Sequence, residues 1–84
     1  MYLHLGESTI IRDKNIIGIF DLDKATVMKS TRNYLKKATD EKRVVTVSYE
    51  LPKSFIVTDE NDYTVYISQL MPSTLVNRAE KNKI

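Results

Sequence analysis

Two runs of β-branched and aromatic residues, Lys53–Thr58 and Tyr63–Ser68, flank four consecutive turn-formers, Asp59-Glu60-Asn61-Asp62. This is the clearest hairpin pattern in the chain, and it is expected at the centre of a sheet. In the second run Tyr63, Val65 and Ile67 fall on one face and Thr64, Tyr66 and Ser68 on the other, because side chains alternate along a strand. The first set predicts a core face and the second a half-wetted one.

Upstream, Tyr2-Leu3-His4-Leu5 alternates and stops at Gly6, a short first strand ended by a residue that tolerates positive φ. Ser8–Arg12 is a second short run, closed by the turn-like Asp13-Lys14-Asn15. The apolar run Ile16-Ile17-Gly18-Ile19-Phe20 is too short for a helix and predicts a buried strand, with Gly18 marking a bulge or a close backbone approach. From about Thr26 to Ala38 the period changes. Val27, Thr31, Tyr34, Leu35 and Ala38 recur at three- and four-residue steps, while Lys29, Arg32, Asn33, Lys36 and Lys37 cover the other side. This is the expected main helix, capped by Thr26 or Ser30, with Lys36 and Lys37 in the last turn where the carbonyl end favours cations.

Arg43–Leu51 reads as the strongest single strand, and Val44–Val47 is apolar or β-branched on both faces. A helix, a second sheet or another subunit would cover it on both sides, with a subunit favoured on one. Pro52 ends this strand, and Pro72 opens a short C-terminal helix over about 72–80 that buries Leu75 and Val76, before a frayed basic tail from about 79. The fold class is therefore α+β: a small, mostly antiparallel sheet, one main helix over about 26–38 and a short C-terminal helix.

Composition narrows this further. The 84 residues of the chain fit one domain, and a domain of this size buries only roughly 60–65% of its unfolded surface, which makes self-association a natural source of added stability. Cysteine is absent, which excludes disulfides, thiolate metal sites and a cysteine nucleophile and fits a reducing, cytosolic setting. No apolar run approaches a membrane span, and the N-terminus lacks a signal-peptide pattern. The net charge of +2 is small, but its distribution is uneven: residues 24–43 carry seven bases against two acids, and residues 44–71 one base against four acids. Arg32, Lys29 and their neighbours on the helix read first as a solvated face and second as an anion-binding one.

Enzyme chemistry finds no foothold. His4 is the single histidine and sits in a strand pattern, where a framework or interface role outweighs a catalytic one. There is no Ser/His/Asp order, no Gly-rich phosphate loop and no histidine pair at helical spacing. Asp59–Asp62 lacks the length, glycine and terminal glutamate of a calcium loop, and Asp21 and Asp23 read as strand-end or helix-start residues. No cofactor and no small-molecule substrate are expected.

Tyr2-Leu3-His4-Leu5-Gly6, Ile16-Ile17-Gly18-Ile19-Phe20-Asp21 and Lys53-Ser54-Phe55-Ile56-Val57-Thr58 together resemble the RemA/RemB family of bacterial extracellular-matrix (biofilm) regulatory proteins, the RemB-like branch most closely. The resemblance runs from Tyr2 to about Arg78. It implies a small cytoplasmic protein of Firmicutes that assembles into closed homo-oligomeric rings, and in the RemA-like branch binds double-stranded DNA and activates matrix operons. That branch carries a basic residue at the turn after the second strand and adjacent arginines just after the Tyr that closes the central strand. Here those places hold Asn15 beside Lys14, and Leu51-Pro52 beside Lys53. The resemblance thus implies a DNA-contacting rim of Lys14, Asn15, Lys53 and, more weakly, Arg12; Lys29, Arg32 and Arg43 are lesser candidates, and Tyr49 and Tyr66 are tyrosines that either stack on bases or pack in the sheet. An oligomeric scaffold that does not touch DNA is the alternative.

Overall fold

The computed structural model describes residues 2–81, with side chains to Ala79; the last residues of the expected tail lie outside the described residues. Strands β1 (Tyr2–Gly6) and β2 (Thr9–Arg12) form a two-stranded antiparallel sheet. Its turn is made by Gly6 at φ 118° and Glu7 at φ 48°. A side chain at position 6 would meet the Gln69 amide at 2.8 Å, so glycine serves both the backbone and the packing there.

A 3-10 turn over Asp13–Asn15 leads into β3 (Ile16–Asp21), helix α1 (Leu22–Ala25) and helix α2 (Lys29–Asp40). The main helix therefore starts at Lys29 rather than Thr26. The reason is local: Asp21 caps α1 by accepting from the Lys24 N–H at 3.0 Å, and the Thr26 hydroxyl donates to the Leu22 carbonyl at 2.6 Å, closing that turn early. Neither Thr26 nor Ser30 caps α2. Met28 holds the cap position without a side-chain bond, and the Arg32 guanidinium instead satisfies the Thr26 and Val27 carbonyls at 2.8 and 2.9 Å. Val27, placed by periodicity on the buried stripe, is exposed.

Strands β4 (Val44–Thr46), β5 (Ser54–Thr58) and β6 (Thr64–Ser68), with β3, form the main sheet in the order β3-β5-β6-β4. The β5–β6 hairpin is its centre, as expected, and both of its contacts to β3 and within the hairpin are antiparallel. Only β4 runs parallel to β6. Helix α3 (Pro72–Lys81) follows.

Both faces of the hairpin are buried, which corrects the expectation of a half-wetted face. Phe55 and Val65 pack under Ala38, Leu35 and Leu22 from α1 and α2. On the opposite face Ile56 packs with Leu3, Leu5 and Ile11 of the β1–β2 hairpin and Leu75 of α3. The hydroxyl residues of that second face are sealed with it, Ser54, Thr58 and Ser68 being almost wholly buried. Thr58 and Ser68 are tolerated because short hydroxyls reach carbonyls: Thr58 Oγ1 donates to the Thr64 carbonyl at 2.9 Å within the sheet, and Ser68 Oγ donates to the Leu5 carbonyl at 2.7 Å, tying the two sheets together, whereas the Ser54 hydroxyl is buried without a partner.

The edges differ. Strand β3 was expected to be buried, yet Ile17 is 67% and Phe20 42% exposed, because nothing pairs with its outer side among the described residues. Gly18 marks the expected irregularity, with a register shift between Ile16 and Gly18 and the Phe20 ring lying where a side chain at 18 would be. The expected strand Arg43–Leu51 shrinks to three residues. After the Val47 N–H bonds the Ile67 carbonyl at 2.9 Å the chain leaves the sheet, since it must turn back in time for Lys53 N–H to reach the Ser68 carbonyl at 2.9 Å and enter β5. Val44 packs on the helix face and Val47 on the other, while Val45 stays exposed at the edge. In α3, Leu75 is buried as expected, but Val76 is exposed.

Candidate functional site

The four residues of the expected rim separate into two places. Arg12, Lys14 and Asn15 lie together where β2 passes through the 3-10 turn into β3. Arg12 and Lys14 are exposed, the Arg12 guanidinium sits 5.8 Å from the centre of the Tyr2 ring, and the Asn15 carbonyl accepts from the Asp59 N–H at 3.0 Å. Lys53 is also exposed, but at the start of β5, where its carbonyl accepts from Leu22 N–H at 3.0 Å. The register pairs Ile16 with Thr58 and Asp21 with Ser54, so Lys14 and Lys53 stand at opposite ends of β5. At about 3.3 Å per residue that is roughly 20 Å.

Their electrostatic settings also differ from a simple basic rim. The Lys14 end shares its side of the sheet with the turn bearing Asp59, Glu60 and Asp62, joined to it through Asn15. Arg43 is committed to that turn: it donates to the Asn61 carbonyl, lies 3.8 Å from Asp62 and covers the Tyr63 ring at 5.3 Å. Tyr63 in turn donates to Glu41, and that bond raises its phenol above the ordinary value. The positive charge that is free of such acids lies on the outer face of α2, where Lys29, Lys36 and Lys37 are exposed.

The two tyrosines divide cleanly. Tyr66 is packed in the sheet and donates to Glu60 at 2.6 Å; burial first, and then the Glu60 bond, push its phenol up to about 12. Tyr49 is fully exposed. The His4 ring nitrogen meets the Glu7 carbonyl at 2.7 Å, and Arg78 donates to the His4 carbonyl at 3.1 Å, so this residue braces the β1 turn against α3. Among the described residues no cluster of His, Cys, Asp and Glu could hold a metal ion, and no helix is long and apolar enough to cross a membrane.

One feature escapes sequence reasoning. Between the β3 edge and α2 lies an open cavity of about 280 Å3, lined by Ile17, Phe20, Ala25, Ser30, Thr31, Tyr34, Phe55 and Val57. Phe20 and Phe55 stack across its floor with ring centres 5.0 Å apart. Its signal was present in the apolar residues Ile17 and Tyr34, but only if β3 was read as an edge rather than as a buried strand.

Residues 2–79 match the RemA-like family, described as extracellular matrix regulatory protein A-like. The chain belongs to this family. It is also 39% identical over 80 residues to extracellular matrix regulatory protein B of Bacillus subtilis (strain 168), an alignment covering 95% of this chain and 91% of that relative. RemA-like proteins are regulatory, and this member is a regulator rather than an enzyme.

Proposed function

We propose that this RemA-like protein is a cytoplasmic regulator of extracellular-matrix (biofilm) genes that assembles into a homo-oligomeric ring and contacts the backbone of double-stranded DNA through Arg12, Lys14, Asn15 and Lys53. The observation that carries this reading is the family match over almost the whole chain. The exposure of Arg12, Lys14 and Lys53 supports it. Because Lys14 and Lys53 stand at opposite ends of β5, both face one duplex only if β5 runs along the rim rather than across it. Backbone contacts of this kind position DNA without reading bases, so target choice would come from DNA shape and bending. Repetition around a ring multiplies these weak contacts.

The test is titration of a labelled matrix-promoter duplex at about 50 and about 200 mM salt, where each lost phosphate contact lowers the log–log salt slope by roughly 0.9. Lys14→Glu and Lys53→Glu should each weaken binding and flatten that slope. Failure of the assembled protein to bind at low salt overturns the reading.

A second reading, an oligomeric scaffold that acts through a protein partner, is favoured by Leu51-Pro52 standing beside Lys53 and by the acidic turn beside Lys14. Recovery of a protein partner by the tagged ring, together with undetectable DNA binding, would select it.

A further inference from the structure

We infer that the outer face of α2 is a second surface for the backbone of double-stranded DNA, held by Lys29, Lys36 and Lys37. The inference rests on the DNA reading above and adds to it a contact away from Lys14 and Lys53. Lys29 and Lys36 lie two turns apart on one side of the helix, about 10 Å along its axis, with Asn33 between them and Lys37 on the flank. All of these side chains are exposed, and the lysines have no ion-pair partner among the described residues. The opposite side of the helix is fixed, because Leu35 and Ala38 pack on Phe55 and Val65. A duplex carries one charge per roughly 1.7 Å of its length, so the span from Lys29 to Lys36 faces about six phosphates. The face between Lys29 and Lys37 bears no apolar anchor, since Tyr34 turns to the Phe20 and Phe55 cavity. A protein partner would need such an anchor, whereas phosphate oxygens need only lysine and amide donors.

The charges run against what the helix itself favours. Acids are stabilising in the first turn of a helix and cations in the last. Helix α2 instead opens on Lys29 with no acid in its first turn and no side-chain cap, and it ends on Asp40; of the lysines only Lys37, in the last turn, suits the dipole. A solvated helix face is also steadied by acids one turn before its lysines, but those places hold Ala25, Arg32 and Asn33. The neighbouring acids do not cancel the stripe. Asp21 accepts from the Lys24 N–H at 3.0 Å, and Glu41 accepts from the Tyr63 hydroxyl. Asp23 in α1 and Asp40 are exposed, but they lie beyond the two ends of the run from Lys29 to Lys37. Positive charge that costs the helix stability is explained by an anionic partner that gains from it.

Anisotropy of a labelled matrix-promoter duplex, titrated with the full chain at about 50 and about 200 mM salt, tests this. Lys29→Gln, Lys36→Gln and Lys37→Gln should each lower the log–log salt slope by roughly 0.9, so that each variant loses about 3.5-fold less affinity than wild type across that range. Ser8→Glu makes an equal change of charge in the exposed β1–β2 turn, across the sheet from α2, and should leave the slope unaltered. Lys29→Glu should weaken binding and yet raise the urea midpoint, because it puts an acid in the first turn; a face without an anionic partner would show the second effect alone. A wild-type slope in two or more of the glutamine variants, as for a face that meets an acidic protein instead, or an equal drop in Ser8→Glu, overturns the inference and leaves the Lys14 and Lys53 reading standing. A drop in the α2 variants with none in Lys14→Glu or Lys53→Glu upholds the inference and overturns that reading. Absence of binding by the wild-type protein at about 50 mM salt overturns both.

Discussion

The centre of the main sheet and its two edges obey different rules. Strands β5 and β6 are sealed on both faces, and even their serines and threonines are enclosed, Thr58, Thr64 and Ser68 with hydrogen bonds to carbonyls and Ser54 with its hydroxyl unpartnered. Strands β3 and β4 keep Ile17, Phe20 and Val45 in water. A sheet whose middle is closed and whose rims are apolar places its stability in one region and its capacity for contact in another. The difference teaches that exposure at the rims is not a packing failure, because substitutions there can leave the fold intact while altering what it joins.

The largest effect should come from the centre. Ile56 is fully buried between the two sheets, so Ile56→Ala should cost about 3–4 kcal/mol, measured as a shift in urea midpoint at unchanged slope. A loss below about 1 kcal/mol would erase the distinction between centre and rim. Next comes Gly6→Ala, which places a side chain at φ 118° against Gln69 and should cost about 1–3 kcal/mol by the same measurement. That position couples the small sheet to the large one, and a neutral result would show the coupling to be slack.

Alkaline titration sharpens the comparison further. The Tyr66 phenol is raised to about 12 in the folded protein against 10.0 for the free group, and Tyr63 is shifted the same way. The unfolded chain therefore loses these protons first. Stability from these two groups is fully present below about pH 10 and falls as pH rises from 10 towards 12. Tyr66→Phe should flatten that fall in a series of denaturation curves; an unchanged pH dependence would mean that the central phenol is not held as its Glu60 bond requires. The smallest effect belongs to the rims and outer surface: Ile17→Ala and Lys36→Glu should each change stability by no more than about 0.5 kcal/mol. If Lys36→Glu weakens DNA binding as much as Lys14→Glu, the outer face of α2 shares the contact.

The elements that sequence made legible are those whose pattern is local. Two β-branched runs around Asp59–Asp62 can hardly be anything but a hairpin, and Asp13-Lys14-Asn15 is a turn because its residues favour one. What was hidden depends on distant partners. Alternation puts Thr64, Tyr66 and Ser68 on a half-wetted face, and only the β1–β2 hairpin and α3 arriving from both ends of the chain enclose that face. Periodicity placed Val27 on a helix, but the Thr26 hydroxyl and the Asp21 cap had already spent that turn on α1. Arg12, Lys14 and Lys53 were legible as exposed cations, whereas Asn15 is half-buried. Their separation along β5 was not, since it follows from the pairing of β3 with β5.

The brevity of β4 limits what can add to the sheet on that side. With three residues in the ladder, this margin offers a newcomer too few backbone groups to extend hydrogen bonding indefinitely. Recognition there must be read through side chains, which discriminate, rather than through amides, which do not. Open-ended strand addition therefore has little purchase at this margin.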